Sequence, residues 1–143
     1  MTAMPSPAVR VDHLTGDRFE IGVRGHRVTV DQPVDMGGED TAPTPTELFI
    51  ASLASCVAFY ARRYLARHHL PTEGLAVEAA YEMGSRPSRV SAVTLELHLP
   101  DGVPESRREA LLAVASHCTV HNTLATEPDV AIRLVEPEAA EVA

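Results

Sequence analysis

Thr44-Pro45-Thr46-Glu47-Leu48-Phe49-Ile50-Ala51-Ser52-Leu53-Ala54-Ser55-Cys56-Val57-Ala58-Phe59-Tyr60 is the stretch whose reading decides the fold. The 13 residues from Leu48 to Tyr60 carry no charge, and apolar or small side chains fall on every helical face, which is the pattern of a buried helix. Its start is signalled three ways: Thr44 suits an N-cap, Pro45 the first helical position, and Glu47 the third position of a capping box. The uncharged run is shorter than the roughly 20 residues a bilayer span needs, and Arg62, Arg63 and Arg67 follow it. The expectation is a central core helix of a soluble domain with no membrane partner. Cys56, one of two cysteines in the chain, sits in the middle of it.

Upstream of this helix, Val9, Val11 and His13 alternate with charged neighbours, as do Phe19, Ile21 and Val23. Val28 and Val30 continue the alternation, and Thr15-Gly16-Asp17 and Arg24-Gly25-His26 read as turns. This period-two pattern predicts a three-stranded antiparallel meander. Residues 32–43 hold Pro33, Gly37, Gly38 and Pro43 among acidic residues, a loop composition. The helix is expected from Pro45 to His69, where Leu70-Pro71 and Gly74 end it.

Downstream, Leu75, Val77, Ala79, Tyr81 and Met83, then Val93, Leu95, Leu97 and Leu99, predict two longer strands with one buried face each. Pro104 opens a second helix with Leu111, Leu112, Val114 and Ala115 toward the core. It delivers Cys118 and a further short helical turn at 118–124, and Val130, Ile132 and Leu134 predict a last strand. The order βββ-α-ββ-α-β defines an α+β fold with a largely antiparallel sheet around the cysteine-bearing helix. The 143 residues are one domain's length, with 1–7 and 136–143 expected to fray.

The formal net charge of −8, from 20 acidic and 12 basic residues, and the absence of Trp argue against nucleic acid as a partner. The N-terminus has no basic region followed by an apolar core, so the cytoplasm is the expected location. In a reducing compartment, two cysteines 62 residues apart point to redox or catalytic chemistry rather than a structural scaffold.

Pro45-Thr46-Glu47-Leu48 leading to Ala54-Ser55-Cys56, with His117-Cys118-Thr119-Val120-His121-Asn122-Thr123-Leu124 some sixty residues later, resembles the OsmC/Ohr family of thiol peroxidases. The resemblance spans about residues 8–135. It implies an intertwined homodimer with active sites at the subunit interface, two-cysteine reduction of organic hydroperoxides, an external thiol or dithiol reductant, and no cofactor, metal or haem. Cys56 would be the nucleophile and Cys118 the resolving thiol. An arginine from the first strands, held by the carboxylate at the start of the cysteine helix, would support the thiolate. Glu47 stands at the carboxylate's position, and Arg18 is the best match for the arginine, with Arg24 and Arg27 as alternatives. Thr119 departs from the proline that many relatives carry after the second cysteine.

Physical chemistry asks for the same parts. A thiol in an apolar helix has its pKa raised, so a reactive Cys56 needs a positive charge nearby. Glu47 precedes Cys56 by nine residues, about 13 Å of helix, so it cannot touch the sulfur itself. A lone cysteine on an apolar helix is ordinarily plain packing; the second cysteine motif argues otherwise here. His117, Cys118 and His121 do not supply the four ligands of a structural zinc site, and no metal is expected. Competing readings are a non-catalytic dimeric redox sensor or apolar-ligand binding protein on the same fold, and a hydrolase using Cys56 with His121 as base.

Overall fold

The computed structural model describes residues 8–137. The expected fraying of 1–7 and of most of 136–143 therefore falls outside the described residues. Three antiparallel strands open the chain, β1 (Arg10–Thr15), β2 (Arg18–Val23) and β3 (His26–Val30). Val11 pairs with Ile21 and Ile21 with Val28, while His13 pairs with Phe19 and Phe19 with Val30. That register puts these apolar residues and His13 on one face. The two-residue turn between β2 and β3 has positive φ at both Arg24 (48°) and Gly25 (86°), the backbone that matches the twist of paired strands.

The loop 31–43 is folded around a buried carboxylate. Asp31 is 1% exposed. It accepts hydrogen bonds from the Gln32 N–H (2.7 Å), the Thr41 N–H (3.0 Å) and the Thr41 hydroxyl (2.7 Å). These bonds hold its carboxyl down at about 2, against an ordinary 3.8, in spite of burial. Asp31 N–H donates to the Pro43 carbonyl at 3.1 Å, so the two ends of the loop meet and the chain arrives at Thr44 in a fixed position.

Helix α1 (Pro45–Arg67) begins with the predicted capping box: the Thr44 hydroxyl accepts from the Glu47 N–H, and the Glu47 carboxylate accepts from the Thr44 N–H. Strands β4 (Ala76–Gly84) and β5 (Arg89–His98) form a second antiparallel sheet. α2 (Arg108–Ala115) follows a 3-10 turn at Glu105–Arg107, and α3 (Thr119–Ala125) completes the helices. The core lies where α1 meets β4–β5, α2 and α3, with Ala61, Leu65, Leu111, Ala115 and Cys118 almost fully buried. Val77, Val93, Leu95 and Leu97 of the sheet pack on it, as the alternation requires.

Four expectations differ from the structure. Leu112 and Val114 of α2 and Tyr81 and Met83 of β4, expected toward the core, are exposed. The last strand is not formed: 127–137 pairs with no strand among the described residues, and Val130, Ile132 and Leu134 are 77%, 90% and 93% exposed. Its alternation is that of a strand, but no sheet edge among the described residues receives it. Next, α1 is not covered on all sides. Ile50, Leu53, Val57, Ala61, Tyr64 and Leu65 are buried, whereas Phe49 and Phe59 are exposed. One two-stranded sheet and two short helices cannot surround a 23-residue helix, and the β1–β3 sheet makes no extensive contact with it. Finally, by length and mean hydropathy α1 reaches the lower limit for a membrane span, which its 13-residue uncharged run did not suggest; its packing against β4, β5, α2 and α3 makes it the centre of this core.

Candidate active site

The two cysteines come together where α1 meets the start of α3. Cys56 lies at the middle of α1, half-buried, and packs against the core cluster that contains Cys118. Cys118 is the N-cap of α3, with extended backbone (φ −70°, ψ 158°), and its sulfur accepts the His121 N–H at 3.4 Å. Both are free thiols. Burial pushes the Cys118 thiol above its ordinary pKa, the His121 N–H opposes the rise, and the adjacent Cys56 thiol adds to it. Ionisation is thus penalised at the buried sulfur, while the half-buried one is reachable from outside.

A hydrogen bond that the sequence did not disclose ties the two elements. Tyr60 Oη lies 2.8 Å from Thr119 Oγ1. Tyr60 is four residues after Cys56 on the same helical stripe, and Thr119 is the residue next to Cys118. Thr119, which stands where many relatives carry proline, thus anchors α3 to α1. The i, i+4 spacing from Cys56 was the one available signal for Tyr60. His117, weighed as a metal ligand, donates from Nδ1 to the Ala113 carbonyl at 2.6 Å and belongs to the end of α2.

Of the other predicted site residues, Glu47 is exposed, and its carboxylate is engaged in the capping box. α1 is continuous from Glu47 to Cys56, which keeps the two apart within the helix as the spacing required. Arg18 begins β2, and its Nε is buried with no hydrogen-bond partner among the described residues. Arg27 pairs with Glu20 across the hairpin, and Arg24 occupies the exposed turn. Within one chain, then, the fold brings Cys56 to Cys118 and leaves the β1–β3 sheet with Arg18 largely separate from them.

Phe49, Leu53, Val93, Leu95, His121 and Leu124, but neither cysteine, line an open cavity of about 400 Å³ between α1, β5 and α3, which His121 links to Cys118 through its N–H. Its wall is apolar apart from the imidazole and Ser91.

The structure is thus a two-sheet α+β domain with two free thiols at a helix junction. The chain belongs to the OsmC family: the family model described as OsmC-like protein matches residues 37–133. A search of curated proteins found no match. Among solved structures, the fold is similar to a Psychrobacter arcticus 273-4 protein described in terms of an osmotic stress induced and detoxification response. The TM-score is 0.80 at 22% identity, over 86% of this chain and 91% of that one. It is also similar to an organic hydroperoxide resistance protein OsmC from Legionella pneumophila (TM-score 0.65, 21% identity, 87% and 93% covered). An organic hydroperoxide resistance protein from Elizabethkingia anophelis aligns with TM-score 0.65 at 19% identity, over 89% and 93% of the two chains.

Proposed function

We propose that the protein is a cysteine-based peroxidase that reduces organic hydroperoxides. The observation that carries this reading is the pairing of a reachable thiol, Cys56, with a buried one, Cys118, from segments 62 residues apart. In the first step the Cys56 thiolate attacks the terminal peroxide oxygen; the O–O bond breaks, the alcohol leaves after taking a proton, and Cys56 becomes a sulfenic acid. In the second, the Cys118 sulfur displaces hydroxide from that sulfenic acid; its proton leaves with the hydroxide as water and a disulfide forms. An external thiol or dithiol then reduces the disulfide. No metal or cofactor is required by these steps.

The apolar wall of the cavity that His121 lines suits an alkyl peroxide, since burying each methylene is worth about 0.8 kcal/mol. Arg18 and Glu47 are proposed to support the thiolate. Arg18 is favoured over Arg24 and Arg27 because its buried Nε keeps an unused donor, whereas Arg27 is engaged by Glu20 and Arg24 lies in the turn. A homodimer in the cytoplasm is proposed as the working form. Its support is the set of apolar surfaces one chain leaves open: Phe49 and Phe59 on α1, the face of β1–β3, and the exposed side chains of Ile132 and Leu134.

The test is steady-state turnover with an alkyl hydroperoxide and a dithiol reductant. Wild type is expected to turn over, with Cys56→Ser inactive and Cys118→Ser unable to cycle through a disulfide. Equal peroxide consumption by wild type and Cys56→Ser would overturn the proposal.

A further inference from the structure

One turn beyond Cys56, the same stripe of α1 forms the wall of a second cavity. Tyr60, Arg63, Tyr64, Arg67 and His68 line it with Val114 of α2, enclosing about 380 Å³. The positions fall at i, i+3, i+4, i+7 and i+8, so a single helical face delivers them. Arg107, from the 3-10 turn before α2, places Nη1 at 3.2 Å from His68 Nδ1 and adds a third guanidinium beside it.

Two features separate this cluster from an ordinary solvated basic face. In a chain with 20 acidic residues against 12 basic ones, none of Arg63, Arg67, His68 or Arg107 is paired with a carboxylate among the described residues. Moreover, Tyr64 is more than nine-tenths buried, yet its hydroxyl has no hydrogen-bond partner among the described residues. Buried polar groups are ordinarily satisfied. With Arg107 donating to His68 Nδ1, the imidazole carries its proton on Nε2, so Arg63, Arg67 and His68 all offer donors around the cavity. Their complement is a ligand rich in acceptors and negatively charged. The two tyrosine rings and Val114 give that ligand an apolar wall, and the volume falls within the range of small-molecule sites.

We propose that this cavity binds a small organic oxyanion, a carboxylate or phosphate monoester with an apolar body, whose head is held by Arg63 and Arg67. Guanidinium groups match the geometry of such heads with paired hydrogen bonds. The site is independent of whether the cysteines reduce peroxide. It touches them nonetheless, because Tyr60 lines the cavity and also bonds Thr119 next to Cys118.

The experiment is calorimetric titration of the full chain with benzoate, phenyl phosphate, inorganic phosphate and benzyl alcohol, beside Arg67→Ala, Tyr64→Phe and Arg62→Ala variants. Saturable binding of benzoate or phenyl phosphate at about one per chain, without binding of benzyl alcohol, is the expected result; which of the two binds more tightly identifies the head group. Arg67→Ala should weaken binding at least about tenfold, whereas Tyr64→Phe should change it little, because the Tyr64 hydroxyl is closed off from the cavity. Arg62→Ala should leave it unchanged, because Arg62 does not line the cavity. A perturbed tyrosine absorbance on binding is the second readout, clear of tryptophan because the chain has none. No saturable binding by wild type at about 10 mM ligand, or equal loss in Arg62→Ala and Arg67→Ala, would overturn the proposal. So would inorganic phosphate binding as tightly as both organic anions, or failure to bind together with Arg67→Ala weakening self-association, which would assign the cavity to an acidic side chain of a second copy.

Discussion

Replacing Gly38 by alanine is expected to be the most damaging one-methyl change outside the core. A Cβ built on Gly38 would lie 2.0 Å from the Gln32 carbonyl oxygen, 2.6 Å from its carbon and 2.8 Å from Asp31 Oδ1. Two of the obstructing atoms are backbone, so no side-chain rotation relieves the clash. The Gln32 strand of the loop must move by about 1 Å to restore contact distance. That movement breaks the Asp40 N–H to Gln32 carbonyl bond (2.9 Å) and strains the Gly38 N–H to Pro33 carbonyl bond (3.0 Å). Two backbone bonds at about 1 kcal/mol each, with about 1–3 kcal/mol for overpacking, give a loss of about 3–5 kcal/mol. Gly37 is the control. Its φ of 101° disfavours alanine, but its Cβ would meet only Asp17 Oδ2 at 3.6 Å, so the loss is about 1–2 kcal/mol. Urea unfolding followed by circular dichroism measures both. A Gly38→Ala variant within about 0.5 kcal/mol of wild type would refute the reasoning.

Removing the Tyr60–Thr119 bond by Tyr60→Phe and Thr119→Val should show a coupling of about 0.5–1 kcal/mol in a double-mutant cycle, and no coupling would mean that the two hydroxyls do not hold α3 to α1. Thr44→Ala should lower stability by about 1 kcal/mol through loss of the cap. Glu47→Gln keeps an acceptor for the Thr44 N–H, so a fall in peroxide rate at unchanged stability is the outcome that would assign Glu47 a role beyond capping. Asp31 ionises at about 2 in the folded chain and at 3.8 without its partners. Its stabilising contribution is therefore fully present above 3.8 and is lost as pH falls toward 2. An Asp31→Asn variant should show a flatter acid limb in urea-unfolding profiles, and profiles parallel to wild type would contradict the loop assignment.

Much of this was legible in local pattern. The capping box could be read because Thr44, Pro45 and Glu47 act on their own backbone, and the hairpin register because alternation in β1–β3 puts Val11, Ile21 and Val28 on one face. What the pattern could not give is where each apolar face is covered. Ile132 and Leu134 alternate as a strand does, yet a strand exists only where an edge accepts it, and none among the described residues does so. The uniformly apolar sequence of α1 implies cover on every side, whereas its neighbours cover one side. Cys56 and Cys118 were visible as a motif pair. Tyr60 was not, because a tyrosine on an apolar stripe reads as packing until its hydroxyl partner is known. Asp31 hid in the same way, since only the folding of the loop 31–43 brings Thr41 back to it.

The pairing of Cys56 with Cys118 is the centre of the functional account, and intact mass after mixing reduced protein with a slight excess of an alkyl hydroperoxide tests it most directly. Wild type is expected to lose about 2 Da as the disulfide closes, and Cys118→Ser to gain about 16 Da on Cys56, where the sulfenic acid has no resolving partner. Both thiols persisting unchanged for minutes in excess peroxide would contradict it, and would leave the cysteines as packing in a binding or sensing protein of the same fold.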